Sequence, residues 1–215
     1  MQTPIPNPPL RLFTLVNELR RSLEGCRTVL EVGCGVDSPM QFLRSELHLE
    51  GLDIHQPALD ACLTKGFVKK GHLGSALDLA DRFSPNSFDA VVALDLIEHV
   101  AKEDGHKVLT MAEQVARRRV VVFTPNGFVP QSGDENPWME HKCGWEASEF
   151  EDLNYAVRGI NGWKNWRGEY ARLKYKPRFL WALLSEASHY GWTASRPEKA
   201  YSLLATKAME QLAHD

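Results

Sequence analysis

Short apolar runs alternate along most of the chain with stretches that place apolar residues at helical spacing. The apolar runs indicate strands at residues 28–32, 47–54, 67–73, 87–95 and 119–124. The stretches between them predict helices at 38–46, 57–65 and 102–117, with a weakly helical or irregular piece at 77–83. Strand and helix in alternation favour a parallel sheet with right-handed crossovers. The continuous apolar run within residues 87–95 is typical of a strand that is covered on both faces.

The two ends of this pattern add a helix in front and a mixed region behind. Residues 10–24 predict a helix that Gly25 ends, and five apolar residues share one of its faces: Leu12, Leu15, Val16, Leu19 and Leu23. The loop at 125–147 is long enough to suggest a function. A helix at 148–154, a strand at 155–160, an aperiodic segment at 159–177, a helix at 178–190 and a strand at 200–206 complete the prediction.

The composition predicts a globular protein with one core. The chain has 215 residues, 43% of them apolar, and a net charge of −3, so a nucleic-acid partner gains no electrostatic support from the chain as a whole. Its four cysteines show no metal or disulfide spacing, which favours free thiols in the cytoplasm. No apolar run approaches the ~20 residues of a membrane span. The proline-rich start, residues 1–10, lacks the plan of a secretory signal and is expected to be extended.

A glycine turn follows the first predicted strand. It reads Gly33-x-Gly35-x-x-Ser38, so serine stands where a dinucleotide-binding turn has its third glycine. Asp37 at the predicted helix start would repel a phosphate but would suit a helix cap or an ammonium group. Glu31, at a buried strand end, is costly unless it meets a cation or hydrogen-bond donors. These acids favour a ligand that has a positive amino group and no phosphate.

S-Adenosylmethionine is such a ligand, because it combines an amino acid end with a sulfonium, a ribose and an adenine. Asp53 follows Gly33 by 20 positions, at the tip of the second predicted strand. There its carboxylate is placed to accept hydrogen bonds from both ribose hydroxyls.

The sequence resembles the class I S-adenosylmethionine-dependent methyltransferases over residues 10–206. The resemblance rests on Glu31–Gly35 (EVGCG), Asp53, Ser87–Val92 (SFDAVV), Leu94–His99 (LDLIEH) and Arg119–Asn126 (RVVVFTPN). It implies a Rossmann-like three-layer α/β sandwich, whose seven-stranded, mostly parallel sheet includes a final antiparallel strand. It also implies S-adenosylmethionine as cofactor and ten residues around it: Glu31, Gly33, Cys34, Gly35, Asp53, Ile54, Ser75, Ala76, Leu94 and Asp95. The chain departs from the family at Ser75, where an acid usually contacts the adenine amino group, and Asp78 is a possible substitute.

Asp95-x-x-Glu98-His99 follows the fourth predicted strand at its carboxyl end, where open α/β sheets bind ligands. If the segment is helical, the three side chains share one face. Three interpretations compete. In the first interpretation Asp95 lies at the edge of the methyl-transfer site, and Glu98 and His99 support it. In the second, His99 is the general base that deprotonates the acceptor. In the third interpretation the trio holds a divalent metal, as similar stretches do in some quinone-pathway O-methyltransferases. No metal is included in the prediction.

Two aromatic segments carry further hypotheses. The loop Gln131–Trp145 contains Trp138, His141 and Trp145, and is either an aromatic lid with His141 as a second base candidate or a packed loop. A later segment combines two tryptophans with basic residues: Trp163, Trp166, Arg167, Arg172, Lys174 and Lys176. That segment either grips an acidic substrate or RNA or is a solvated insertion.

We therefore predict a single methyltransferase domain over residues 1–215, with an N-terminal helix at 10–24 and an insertion at 159–190 between the last two strands. The acceptor is expected to be a small molecule. His99 and His141 are the catalytic candidates. The alternatives are an NAD(P)-linked Rossmann oxidoreductase and a non-catalytic S-adenosylmethionine-binding protein.

Overall fold

The structure is a computed structural model, and it describes residues 10–133, 137–167 and 173–210, with only the backbone at residues 10 and 11. The proline-rich stretch before residue 10 lies outside the described residues. Six α-helices in this part of the chain are α1 (Leu10–Ser22), α2 (Gln56–Lys65), α3 (Leu79–Arg82), α4 (Lys102–Val115), α5 (Ala147–Asp152) and α6 (Arg178–Gly191). The strands are β1 (Thr28–Val32), β2 (His48–Asp53), β3 (Lys70–Leu73), β4 (Phe88–Leu94), β5 (Ala116–Pro125), β6 (Ala156–Trp163) and β7 (Ala200–Ala208).

The strands form one seven-stranded sheet in the order β3-β2-β1-β4-β5-β7-β6. Strand β1 pairs in parallel with β2 and β4, so that Val29 lies opposite both Leu49 and Ala90. Strand β7 runs antiparallel to β6. The predicted Rossmann-like sheet with a final antiparallel strand is therefore confirmed.

The chain divides into two compact units. The first comprises the described residues up to Leu94, His106–Val121 and the end of the chain from Lys207; the second comprises Asp95–Gly105 and Val122–Thr206. In the first unit, all seven residues of β4 are buried, as its continuous apolar run predicted. Four of the five residues predicted for the apolar face of α1 are buried: Leu15, Val16, Leu19 and Leu23. Leu12 is half-buried.

The predicted helix at 38–46 is instead a 3-10 helix, Pro39–Leu43. Ser38 begins it, because the Ser38 hydroxyl accepts a hydrogen bond from the Met40 N–H at 3.0 Å, and Pro39 has no N–H to satisfy. Side chains at i and i+3 eclipse in a 3-10 helix. Met40 and Leu43 therefore share a face, and both are completely buried.

The second correction concerns the segment between the last two strands, which begins at residue 164 because β6 extends to Trp163. The register shifts between Ile160 and Trp163, where Asn161 and Gly162 have φ of 66° and 68°. Gly159 has no room for a side chain, since a Cβ atom there would lie 2.2 Å from the Thr193 carbonyl oxygen. Alternation of apolar and polar residues does not reveal such a bulge.

Within the described residues, no helix combines the length and the apolar character that crossing a membrane requires.

Asp89 joins the starts of β1 and β4 to the start of β5. Its Oδ2 accepts hydrogen bonds from the backbone N–H groups of Arg27 and Thr28 at 2.9 and 3.0 Å. Its Oδ1 lies 2.7 Å from Nη2 of Arg117. Burial opposes ionisation of the Asp89 carboxyl, but the Arg117 guanidinium and the two N–H groups outweigh it and hold the pKa well below its usual range.

Asp89→Asn is expected to lower the free energy of unfolding at pH 7 by about 1–3 kcal/mol, because it removes hydrogen bonds to a charged group. A depressed pKa contributes stability above the unfolded-state pKa of about 3.9, and that stability is lost as the pH falls toward the folded-state pKa. Urea unfolding across this pH range should therefore show the wild-type advantage shrinking below about pH 4. Exposed Asp81→Asn is the control, and an advantage that does not depend on pH would contradict the assignment.

Candidate functional site

The turn after β1 depends on two glycines in left-handed backbone conformations. Gly33 has φ of 72° and Gly35 has φ of 55°, a region that residues with a Cβ atom rarely occupy. The N–H of Gly35 donates to Oδ2 of Asp53 at 2.9 Å. The glycine spacing read from the sequence therefore forms a tight turn that is bonded directly to the end of β2.

Glu31 is completely buried at the end of β1. Its Oε1 accepts a short hydrogen bond from the Ser38 hydroxyl. Among the described residues, no group donates to its Oε2. Burial raises the pKa of Glu31 well above its usual value, and the Ser38 hydrogen bond opposes that shift. A carboxylate so placed is stabilised by any cationic group that reaches it.

Of the two residues after the turn, Ser38 begins the next helix as predicted, whereas Asp37 does not cap it. Asp37 is exposed and pairs with Nζ of Lys65 at 2.6 Å, so it does not cap the following helix. Ser38 caps that helix and also donates to Glu31. A serine instead of a third glycine is therefore explained by its hydroxyl, which serves both Glu31 and the 3-10 helix.

Gly51, in the middle of β2, packs against the turn after β1, and the sequence reasoning missed it. A Cβ atom there would lie 2.8 Å from Sγ of Cys34. Cys34 is buried, and its Sγ lies 3.5 Å from Sγ of Cys62 on α2. Because the Cys34 side chain packs inside the unit, only its backbone is available to a ligand. A glycine inside a strand was the available signal, since it often marks close approach of another group.

The end of β2 presents one acid and one apolar side chain. Asp53 is nearly buried, and its two oxygens accept hydrogen bonds from the N–H groups of Gly35 and His55 at 2.9 and 2.8 Å. Each carboxylate oxygen has a second lone pair, so two further hydrogen bonds remain available. Ile54 follows with an exposed side chain.

The segment after β3 begins with Gly74, whose N–H donates to the Asp53 carbonyl oxygen at 2.9 Å. The Ser75 hydroxyl accepts from the Leu77 N–H and begins a 3-10 turn at Ala76. Asp78, the possible substitute for the family acid, lies 3.4 Å from the Arg82 guanidinium. This contact is an exposed i,i+4 ion pair, which is weak and leaves the Asp78 carboxylate able to accept further hydrogen bonds.

The second unit contains the acids that follow β4, whose last residue is the buried Leu94. Asp95 has φ of 47°, and a 3-10 turn begins only at Ile97, so the three predicted side chains do not share a helical face. Glu98 is buried; its Oε2 accepts from the Thr124 hydroxyl at 3.0 Å. Its Oε1 receives no hydrogen bond from any described donor.

The two carboxyl groups influence each other. Burial raises the pKa of Glu98 well above its usual value, and the adjacent charge of Asp95 adds to the effect. Burial raises the pKa of Asp95 to about 7, and a hydrogen bond with the Glu98 side chain opposes that shift. Because Asp95 keeps an exposed surface, solvent limits its desolvation. No lysine or arginine among the described residues forms an ion pair with either group.

His99 and His141 come together in this unit, with ring centroids 4.8 Å apart. Nδ1 of His99 lies 3.1 Å from the Glu140 carbonyl oxygen, and Nδ1 of His141 lies 2.6 Å from that of Val129. A carbonyl only accepts, so each Nδ1 carries the proton and each Nε2 presents a lone pair. Burial lowers the pKa of both imidazoles, which favours their neutral form.

The loop after β5 is anchored on the 97–99 turn. The Lys142 N–H donates to the Glu98 carbonyl oxygen at 2.7 Å, and Nε1 of Trp145 donates to that of Ile97 at 3.3 Å. Trp145 is completely buried and stacks on Phe150, so it belongs to a packed core and not to a lid. Trp138 is exposed.

The basic-aromatic segment is also mainly structural. Trp163 packs edge-on against Trp166 with ring centroids 5.4 Å apart, and Trp166 packs against Trp181 at 5.5 Å. Arg167 donates to the Asn161 carbonyl oxygen at 2.5 Å, inside the unit. Lys174 and Lys176 are exposed. Arg172 lies outside the described residues. Rings that already pack on one another offer little free face to nucleobases.

Residues 30–124 match the sequence model of a family described as a methyltransferase domain. A S-adenosylmethionine-dependent methyltransferase from Archaeoglobus fulgidus is similar over 91% of this chain and 93% of its own, with 16% identity and a TM-score of 0.59. Magnesium protoporphyrin IX methyltransferase from Synechocystis PCC 6803, solved with bound S-adenosylmethionine, is similar over 92% of this chain and 77% of its own. The identity is 16% and the TM-score is 0.53. Phosphoethanolamine N-methyltransferase 2 from Haemonchus contortus, in complex with S-adenosyl-L-methionine, is similar over 93% of this chain and 53% of its own. The identity is 16% and the TM-score is 0.59. No curated protein sequence matches the chain.

Residues 30–124 therefore match the methyltransferase domain family, and the chain has the fold of the class I S-adenosylmethionine-dependent methyltransferases. The matched region contains the glycine turn, Asp53 and the acids after β4. The resemblance drawn from the sequence is confirmed.

Proposed function

We propose that this protein is a methyltransferase that transfers a methyl group from S-adenosylmethionine to a small-molecule acceptor, and that its two units act together as one methyltransferase domain. The observation that carries the proposal is the buried Glu31, whose Oε2 receives no hydrogen bond from the described residues. An amino acid ammonium is the group that such an oxygen accepts best. The pyrophosphate of a dinucleotide would be repelled there.

We assign the remaining contacts to S-adenosylmethionine from the positions of the residues in the fold. Backbone groups of Gly33, Cys34 and Gly35 are proposed to receive the methionine end. The free lone pairs of Asp53 are proposed to accept the ribose hydroxyls, with Ile54 against the adenine. Adenine is proposed to contact Ser75 and Ala76 as well. Leu94 and Asp95 complete the proposed donor site.

When bound, the cofactor supplies a methyl group that is already strongly electrophilic. The protein therefore needs mainly to align the acceptor and to exclude water. A base is required only for an acceptor that is protonated at neutral pH. His99 and His141 are the candidates, because both imidazoles are neutral and each presents Nε2 as an acceptor.

A small-molecule acceptor is supported by two observations. Two enzymes of similar fold are named for small-molecule acceptors, magnesium protoporphyrin IX and phosphoethanolamine. The net charge of −3 gives no general attraction for nucleic acid. We propose the cytoplasm as its compartment, because the scattered cysteines suit a reducing environment.

Isothermal titration calorimetry tests the proposal with S-adenosylmethionine, S-adenosylhomocysteine and NAD. Both nucleosides are expected to bind at one site per chain, and NAD is not. If the protein bound NAD and neither nucleoside, the proposal would be wrong and an NAD-linked oxidoreductase would be favoured. Binding of the donor without turnover across a broad acceptor screen would favour a non-catalytic binding protein.

Asp53→Ala is expected to weaken S-adenosylmethionine binding by at least about 1.5 kcal/mol, roughly tenfold in Kd, because hydrogen bonds to a charged group contribute about 1.5–3 kcal/mol. The measurement is the same calorimetric titration. Asp60→Asn, on the exposed side of α2, is the matched control. An unchanged affinity in Asp53→Ala would remove this residue from the donor site.

A further inference from the structure

Glu98, His99 and His141 each present one ligand atom, and the three atoms all lie within 4.8 Å of one another. We propose that these side chains bind a divalent transition-metal ion. Tetrahedral ligands about 2.1 Å from one ion lie about 3.4 Å apart, so binding requires the most widely separated atoms to approach each other by roughly 1.4 Å. The ligand set differs from the one considered in the sequence analysis, because His141 from the loop after β5 takes the place of Asp95.

Both histidines are held in the tautomer that a metal requires. The Nδ1–H groups donate to the carbonyl oxygens of Glu140 and Val129, at 3.1 and 2.6 Å. Metal-binding histidines usually donate their second ring nitrogen to a carboxylate, a carbonyl or water in this way, which fixes the ring and leaves the other lone pair for the metal. The two rings are neighbours, with centroids 4.8 Å apart, and in each ring Nε2 is the nitrogen that is left to bind a metal.

Glu98 supplies the negative charge. The residue is 2% exposed, and Thr124 holds its Oε2 at 3.0 Å. Its Oε1 has no hydrogen-bond donor among the described residues. The Glu98 carboxyl also forms a hydrogen bond with the Asp95 side chain, which requires a proton on one of the two acids. When both are ionised, the two neighbouring carboxylates are destabilised unless a cation compensates them. Asp95 adds a second acid nearby.

Two imidazoles and one carboxylate indicate the kind of ion. This set favours zinc, cobalt, iron or nickel over magnesium and calcium, which prefer oxygen ligands. Three protein ligands leave coordination positions open. If the proposed function holds, those positions would orient an acceptor oxygen and lower its pKa, so that the histidines act through the metal. The binding of the ion itself rests on the geometry alone.

The test uses the full chain, stripped of metal by a chelator and freed of any histidine tag. Co²⁺ is added while the visible absorption spectrum is recorded, and Zn²⁺ binding is measured by calorimetry. One ion per chain with a micromolar or lower Kd is expected, together with an increase in Tm. His141→Ala, His99→Ala and Glu98→Gln are each expected to weaken binding roughly tenfold or more. His106→Ala, on the exposed face of α4, should bind like the wild type.

The absence of saturable binding would overturn the proposal, as would binding that all three variants retain. Preferential binding of Mg²⁺ without dependence on the histidines would also overturn it. His141→Ala is the decisive variant, because His141 lies in a loop and is not a core residue. S-Adenosylmethionine titrations of the metal-free wild type and of His141→Ala keep the two proposals apart. A wild type that binds S-adenosylmethionine but no metal ion contradicts only the metal site, and a wild type that binds the metal ion but not S-adenosylmethionine contradicts only the proposed function.

Discussion

Replacing Glu31 with glutamine is expected to weaken the binding of S-adenosylmethionine by roughly ten- to a hundredfold, since a charged hydrogen bond is worth about 1.5–3 kcal/mol. Glutamine keeps the shape of the side chain and still accepts from the Ser38 hydroxyl. It loses the charge that we assign to the ammonium of the methyl donor. Calorimetric titration of both proteins with S-adenosylmethionine measures the difference. Exposed Glu46→Gln is the control.

The same substitution is expected to stabilise the ligand-free protein at neutral pH, because it removes an unpaired buried charge. Burial raises the folded-state pKa of Glu31 well above its usual value. The wild type is therefore most stable, relative to Glu31→Gln, below the unfolded-state pKa of about 4.3, and it loses that stability as the pH rises toward the folded-state pKa. Urea unfolding between about pH 4 and pH 7 should show the advantage of the glutamine variant growing with pH.

If Glu31 is a ligand-binding acid, Glu31→Gln must lower the affinity for S-adenosylmethionine and raise the stability of the ligand-free protein at pH 7. A variant with unchanged affinity for the donor would remove Glu31 from the site. A ligand-free variant that is less stable than the wild type at pH 7 would show that the protein itself compensates the Glu31 charge.

Trp145→Ala is expected to lower the free energy of unfolding by about 3–5 kcal/mol, the range for truncating a buried large aromatic side chain. Trp145 is completely buried and stacks on Phe150 with ring centroids 5.3 Å apart. The Lys102 ammonium lies 3.8 Å from the centroid of its ring. Urea unfolding followed by far-UV circular dichroism measures the loss.

Trp138→Ala is the matched control, because it removes the same side chain from the same loop at a residue that is 52% exposed. Its effect should stay within about 0.5 kcal/mol. Trp145→Phe should fall between the two, since it keeps part of the packing and loses the hydrogen bond to Ile97. If Trp145→Ala folds, its Co²⁺ affinity should fall as well, because Trp145 anchors the segment that carries His141. Equal effects of the two alanine variants would contradict the packed-loop interpretation.

The fold was predictable where a strand is buried on both faces, because such a strand needs a nearly continuous run of apolar residues. Strand β1 has the predicted bounds, and the ends of β4 differ by a single residue. The 38–46 segment was mispredicted, because an apolar pattern over so few residues does not separate i→i+3 from i→i+4 hydrogen bonding. The extent of β6 was missed for a related reason: its bulge depends on what packs against Gly159.

The geometry of the turn that we propose for the methyl donor was also largely predictable from the sequence. Glycine spacing, Glu31 and Asp53 lie within one strand–turn–strand unit, where short connections fix the geometry. Gly51 was missed because the need for a glycine there comes from Cys34, which approaches from a different segment. Asp37 was misassigned because its partner, Lys65, lies 28 residues away.

By itself, the sequence determined the class of the fold and the chemistry that one turn can offer to a methyl donor, because both follow from local periodicity and from residue type. Only the tertiary structure decided what surrounds the acids after β4. Glu140, which fixes the His99 tautomer, is 41 residues away, and Thr124, which holds Glu98, is 26 residues away. Hydrogen bonds between such distant segments depend on how the loop after β5 packs around Trp145. That packing cannot be predicted from the spacing of residues in the sequence.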